Sequence, residues 1–94
     1  MARILVIEDE PLLAAALAKG LREDHHVAEV ARDGTSGLAL AEGGDFDLLV
    51  LDLLLPGMPG LTVCRRLRAA GAPLPILVLT ARDAPADIVA GLDA

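Results

Sequence analysis

Four residues with oxygen-bearing side chains stand where apolar runs of this sequence end. Glu8 and Asp9 follow one run, Asp52 follows a second, and Thr80 follows a third. In an open parallel sheet, ligands bind in the crevice beyond the carboxyl ends of the strands. If the three runs are parallel strands, we expect these four side chains to lie together at one edge of the sheet.

The chemistry expected of this group is cation binding by carboxylates. Three carboxylates in one crevice repel one another unless one of them has a raised pKa or a cation binds between them. A set of oxygen ligands favours Mg²⁺. Taken singly, Glu8 and Asp9 would suit a helix N-terminus, and Asp52 and Thr80 would be ordinary turn residues. The four residues indicate a site because they follow three separate apolar runs, which would place them at one edge of the sheet.

Strands and helices alternate along the chain and would position these residues. The central apolar runs are typical of strands covered on both faces, and hairpin signals are absent between them. Such alternation predicts right-handed crossovers and a parallel sheet flanked by helices. We therefore predict a doubly wound α/β fold with four helices and with strands over residues 3–7, 26–31, 48–51 and 75–80.

Helix boundaries and faces follow from capping residues and apolar spacing. Pro11 suits a first helical turn, and that helix should end near Glu23. Thr35 or Ser36 is expected to cap the second helix, and Pro85 to open the fourth. The buried face of the first helix is predicted from residues at helical spacing, namely Leu13, Ala16, Leu17, Gly20 and Leu21.

The third helix, after a loop over residues 56–60, is predicted to be amphipathic. The single cysteine, Cys64, lies on its apolar stripe with Val63 and Leu67, and it cannot form an internal disulfide. We interpret it as a buried structural thiol. The opposite face should meet water and carries three arginines, Arg65, Arg66 and Arg68.

Composition excludes several classes of protein. Ninety-four residues fit one domain, 1–94. A net charge of −6 with eight basic residues argues against nucleic-acid binding by this segment. No uncharged apolar run approaches the roughly 20 residues of a membrane span. The first apolar run is followed at once by acidic residues, unlike a signal peptide. The sequence thus predicts a cytoplasmic protein that does not contact membranes.

Several segments resemble the receiver domains of bacterial two-component response regulators. Residues 4–11 are similar to the first strand and acidic pair of that family, residues 49–57 to its phosphoacceptor segment, and residues 79–81 to its switch hydroxyl and the small residue beside it. Residues 87–94 resemble the fourth helix of the class joined to winged-helix DNA-binding domains. The resemblance covers essentially the whole chain and implies a flavodoxin-like fold with strand order 2-1-3-4.

This resemblance also implies a function. Asp52 would accept a phosphoryl group from a sensor histidine kinase, and Thr80 would bind a phosphoryl oxygen. Asp9 and Asp52 would ligate Mg²⁺ together with the Leu54 carbonyl, and Glu8 would act directly or through water. The resulting switch would control an output such as transcription, with DNA bound only through an output domain absent here. Such a domain is not an enzyme, although it assists its own phosphorylation and dephosphorylation.

The chain departs from the family pattern near its C-terminus. The family uses a lysine after a fifth strand and covers the sheet with a last helix, and the sequence stops before both. Lys19, the sole lysine, falls within the first helix and cannot substitute. The receiver domain is therefore expected to be incomplete. The apolar fourth strand at the sheet edge predicts a homodimer or a domain-swapped oligomer.

Two other functions compete with this interpretation. A phosphatase or phosphotransferase with an aspartyl nucleophile usually needs a second acid two residues after the first, and that position is Leu54. A docking or oligomerisation module would keep the fold without using phosphorylation. Weak or absent Mg²⁺ binding would favour the docking module.

Overall fold

A computed structural model describes residues 1–79, and the predicted fourth helix and Thr80 lie outside these residues. Within this range, no helix combines the length and the apolar character that a bilayer crossing requires. Strands and helices alternate as the sequence predicts, with bounds shifted by a residue or two. The elements are β1 (Arg3–Ile7), α1 (Pro11–Glu23), β2 (Val27–Ala31), α2 (Gly34–Gly43), β3 (Leu48–Asp52), α3 (Gly60–Ala69) and β4 (Ile76–Leu79).

The four strands form one parallel sheet in the order β2-β1-β3-β4. The predicted α/β fold and strand order are therefore confirmed. From β1 the chain crosses to one side to form β2, whereas from β3 it crosses to the other side to form β4. The carboxyl ends of β1 and β3 consequently flank the point at which strand order reverses, which is where open α/β sheets bind ligands.

Helices cover the two faces of the sheet unequally, because side chains of successive strand residues point to opposite faces. On one face, α2 and α3 pack on the larger core. On the other, α1 packs through Leu17 and Leu21 on a smaller core of Ile4, Val6 and Val50. The fully buried members of the larger core are Leu5, Ile7, Leu49, Leu51, Val63, Cys64 and Leu67.

The buried face of α1 differs from the prediction. Ala14 and Ala18 are buried, and Leu17 and Leu21 are half-buried. Nearly every residue between positions 12 and 18 is apolar, so periodicity alone does not fix which side faces the sheet. The small alanines allow close approach to the strands. Three predicted members of the face are exposed instead: Leu13, Ala16 and Gly20.

The N-cap of α2 is Asp33, so the prediction of Thr35 or Ser36 is wrong. The Asp33 Oδ1 atom accepts a hydrogen bond from the Ser36 N–H at 2.7 Å, and Oδ2 accepts one from the Ser36 hydroxyl at 3.0 Å. These hydrogen bonds lower the pKa of the Asp33 carboxyl. Asp33 therefore satisfies a backbone N–H that the first helical turn leaves free.

The amphipathic character of α3 is confirmed with one correction. Its apolar stripe is fully buried, and Arg65 and Arg66 are exposed. Arg68 is half-buried instead of facing water, because its Nη1 donates to the Ala72 and Leu74 carbonyls at 3.0 and 2.7 Å. This arginine connects the end of α3 to the segment that leads into β4.

Candidate functional site

Three of the four predicted site residues lie together at the carboxyl ends of β1 and β3. Glu8 and Asp9 follow β1, and Asp52 is the last residue of β3. One carboxylate oxygen from each of the three lies within 4.8 Å of the others. The parallel pairing of Ile7 with Leu51 places these chain positions side by side. Thr80 lies outside the described residues, so its role stays a prediction.

The three acids, together with Glu10, form the polar part of a cleft of about 530 Å³. Its other side is apolar and includes Leu13 of α1, whose exposed side chain lines the cleft. Leu54, whose carbonyl was predicted to be a metal ligand, also lines this cleft. The complete lining consists of Glu8, Asp9, Glu10, Leu13, Leu17, Asp52, Leu54 and Leu79.

Glu8 is the buried member of the acidic group, with 3% of its surface exposed. Its Oε2 accepts a hydrogen bond from the Glu10 N–H at 2.9 Å. Burial raises the pKa of the Glu8 carboxyl, the Glu10 N–H lowers it, and the negative charges of Asp52 and Asp9 raise it again. The net direction is upward, because desolvation and like charges both disfavour the ionised form.

Glu10 has a different task from its two acidic neighbours. Its Oε2 accepts a hydrogen bond from the Leu13 N–H at 2.7 Å, so it caps α1. This is the ordinary role that an acid beside a helix N-terminus suggests. Glu8 and Asp9 are thereby left to face the crevice.

Asp52 is held by the backbone that follows it. Its Oδ1 accepts a hydrogen bond from the Leu54 N–H at 3.1 Å. The Leu53 N–H donates to the Leu79 carbonyl at 3.3 Å, and the Gly60 N–H donates to the Leu53 carbonyl at 3.2 Å. The carboxylate therefore sits on a turn that is attached to both β4 and α3.

Two glycines allow α2 and α3 to approach this turn closely. A Cβ on Gly60 would lie 2.6 Å from the Asp52 carbonyl oxygen and 2.7 Å from the Leu53 Cα. A Cβ on Gly34 would clash with the carbonyl oxygen of Met58, in the loop that follows the turn. Sequence analysis did not identify either residue, because a glycine beside a loop gives no sign of which backbone it meets.

Arg32 is a further residue that sequence analysis missed. Its Nε and Nη2 both donate to the Asp9 carbonyl oxygen, at 3.2 and 3.0 Å. One signal was available, since Arg32 directly follows β2 and so leaves the sheet at the same edge as the acids. The contact itself joins a side chain to a backbone atom, which residue spacing does not reveal.

The acidic group suits a hard divalent cation. All of its donors are carboxylate oxygens, and they lie close enough together to share an ion. Within residues 1–79, no lysine or arginine forms an ion pair with these carboxylates; the ion pair present there joins Arg3 to Glu29 at 3.9 Å. In the described part of the chain, the three acids therefore have no direct ion-pair contact with a lysine or an arginine.

Comparison with known proteins identifies the family. A family model described as the response regulator receiver domain matches residues 4–94. The transcriptional regulatory protein TcrA of Mycobacterium tuberculosis is 50% identical over 91 residues, which cover 97% of this chain and 36% of TcrA. The chain thus spans little more than a third of the length of this relative.

Solved structures agree with this family. The receiver domain of the Francisella response regulator 1452 superposes with a TM-score of 0.93 at 26% identity, covering 99% of this chain and 77% of that one. The response regulator TrrA of Thermotoga maritima, solved in complex with Mg²⁺-BeF, gives a TM-score of 0.83 at 35% identity, covering 88% and 72% of the two chains. The chain belongs to the family of response regulator receiver domains.

Proposed function

We propose that this chain is a phosphoacceptor domain in which Asp52 takes a phosphoryl group from a sensor histidine kinase. The observation that carries the proposal is the meeting of Glu8, Asp9 and Asp52 at the carboxyl ends of β1 and β3 in a chain of this family. A receiver domain is regulatory, so its chemistry is to gain and lose one phosphoryl group and not to turn over a separate substrate.

Asp52 is the nucleophile of the proposed reaction. Its Oδ1 is engaged by the Leu54 N–H, so we assign Oδ2 as the oxygen that attacks phosphorus in line. The bond from phosphorus to the histidine nitrogen of the donor breaks, the electron pair stays on that nitrogen, and an aspartyl phosphate forms. The hydrogen bond from Leu54 keeps the carboxylate plane fixed during attack, which favours a reactive orientation.

Mg²⁺ is the cation that fits this donor set. Asp9, Asp52 and the Leu54 carbonyl would hold it, with Glu8 acting directly or through water. When bound, it would offset the negative charge spread over the phosphoryl oxygens. The Mg²⁺ in the TrrA complex supports this assignment by family likeness.

The consequence of phosphorylation is a conformational switch. The modification adds roughly two negative charges and several strong hydrogen-bond acceptors at Asp52. We propose that Thr80 donates its hydroxyl to a phosphoryl oxygen and moves the following loop. The named role of TcrA as a transcriptional regulator supports an output in transcription, exerted on DNA by a separate output domain in the cytoplasm.

Labelling with a small phosphoryl donor tests the proposed acceptor. Intact-mass measurement should show one added phosphoryl group on the chain, dependent on Mg²⁺ and absent from Asp52→Asn. Asp45→Asn is the matched control, because that acid lies before β3, at the opposite end of the sheet, and it should label like the wild type.

Either of two results would contradict the proposal. Labelling that persists in Asp52→Asn would move the acceptor to another residue. A wild-type chain that is folded and binds Mg²⁺ but never gains mass would leave the docking module as the better interpretation.

A further inference from the structure

We propose that Arg32 is a positioning residue for the cation site, which fixes Asp9 from the end of β2. The inference rests on the proposed function, because Asp9 acts as a ligand only there. It adds a residue that does not touch the cation but sets the affinity for it. The argument depends on how the segment that follows β1 is held.

Backbone pairing between β1 and β2 ends just before Asp9. Ile7 is in register with Ala31, the last residue of β2. The Glu8 N–H still donates to the Ala31 carbonyl at 3.0 Å. One position further along each strand, the Arg32 guanidinium takes over by donating from Nε and Nη2 to the Asp9 carbonyl. The side chain thus extends the attachment of this segment to β2 where the backbone no longer does.

Two donors on one carbonyl oxygen restrict the peptide plane that leaves Asp9. The Glu8 N–H anchors the segment on one side of Asp9, and the Glu10 N–H, bound to the Glu8 carboxylate, anchors it on the other. Arg32 supplies the attachment at Asp9 itself. Removing a group that orients a metal ligand typically costs about 10- to 100-fold in metal affinity or activity.

Arg32 affects the affinity for a cation in two opposite ways, through its charge and through its hydrogen bonds. The sign of the change in affinity on removing Arg32 shows which of the two is larger. Its positive charge beside three carboxylates repels a divalent ion, weakly because the side chain is exposed and screened. Its hydrogen bonds hold Asp9 in place and so favour binding. If charge were the main effect, Arg32→Ala would bind Mg²⁺ more tightly. If positioning is the main effect, Arg32→Ala binds Mg²⁺ more weakly.

Arg22, in the last turn of α1, provides a control that also contacts the β2 region. Its Nη2 donates to the Ala28 carbonyl of β2 at 2.8 Å, so Arg22→Ala removes an arginine that attaches a neighbouring segment to β2 without contacting Asp9. The net charge changes equally in the two variants. The Ala28 carbonyl lies toward the start of β2, away from the acids. General loosening of β2 would therefore affect Mg²⁺ binding in both variants, whereas positioning of Asp9 affects it in one.

Titration calorimetry with Mg²⁺ alone tests this inference on the wild type, Arg32→Ala, Arg32→Gln and Arg22→Ala. We expect Mg²⁺ affinity to fall on the order of tenfold in both Arg32 variants and to stay within twofold of the wild type in Arg22→Ala. Circular dichroism of each variant checks that it is folded. Arg32→Gln keeps most of the side-chain length, so it serves if the alanine variant does not fold.

Each other result overturns the inference in an identifiable way. Unchanged or tighter binding by the Arg32 variants would leave the proposed function standing and remove the positioning role. An equal loss in Arg22→Ala would assign the effect to the strand and not to Asp9. Absence of Mg²⁺ binding by the folded wild type would overturn the proposed metal site, and the role of Arg32 with it.

Discussion

Glu8 illustrates how a single buried acid links stability to ligand binding. It is almost fully buried and lies beside two further carboxylates. Its raised pKa means that the folded chain holds this proton more tightly than the unfolded chain does. The resulting stability is present below the unfolded pKa and is lost as pH rises through the folded pKa. At neutral pH without a cation, where Glu8 is ionised in the unfolded chain, this acid thus lowers the free energy of unfolding.

Replacing Glu8 by glutamine should therefore stabilise the cation-free chain at neutral pH. The amide oxygen of glutamine can still accept the Glu10 N–H, while the charge disappears. Urea unfolding at neutral pH should show a higher midpoint for Glu8→Gln, and the difference should shrink as pH falls toward the unfolded pKa.

Added Mg²⁺ should make the wild type more stable than Glu8→Gln. A ligand at about one hundred times its Kd stabilises the folded state by about 2.7 kcal/mol, and the wild type should gain more of this than Glu8→Gln. A variant that is less stable than the wild type without Mg²⁺ would show that the raised pKa has no energetic consequence.

The position of α3 depends on its first residue, Gly60, having no side chain. Gly60 begins α3 directly against the backbone of Asp52 and Leu53. Any side chain there must push the helix away from the turn that carries the acceptor. The cleft geometry at Asp52 is therefore set in part from the side of α3.

Gly60→Ala should destabilise the chain by about 1–3 kcal/mol, the usual cost of overpacking. Gly20→Ala is the control, because a Cβ there meets nothing within 4 Å. In the interior of α1 it should stabilise by about 0.5–1 kcal/mol. Urea unfolding followed by circular dichroism measures both, and equal effects of the two substitutions would contradict the close approach seen at Gly60.

The sequence predicted some of the structural elements and site residues but not others. The strands were predicted because apolar runs such as residues 48–51 end in acids or turns. The predicted buried face of α1 was wrong, because alanine and leucine occupy most positions around that helix. Glu8, Asp9 and Asp52 were found because each leaves a strand. Arg32 and Gly60 were not found, because each is placed against backbone atoms of another segment, which residue types and spacing do not reveal.

At the scale of the molecule, the feature that bears on association is the sheet edge. Within the described residues, β4 is an edge strand, and half of the surface of Leu77 is exposed. Exposed apolar edges pair with other chains unless charge or proline prevents it. The expected homodimer or swapped oligomer stays a prediction, and β4 is the part of the described surface where it should form.

Sedimentation velocity over a range of concentrations tests this expectation. The chain should show a concentration-dependent dimer or larger species, and Leu77→Lys should shift it toward the monomer. Leu40→Lys, on an exposed position of α2, controls for the added charge. A monomeric wild type at the highest concentration would contradict association.

The pairing of β1 with β3 also sets the order in which the molecule can acquire its site during synthesis. Because Val6 pairs with Val50, Glu8 and Asp9 can meet Asp52 only after β3 has been synthesised and has left the ribosome. Pairing β1 with β3 closes a long chain segment, which costs conformational entropy and slows folding. The same pairing brings the three like charges together. The electrostatic cost of the site therefore arises together with the β1–β3 pairing, whose backbone hydrogen bonds and buried apolar side chains can compensate for it.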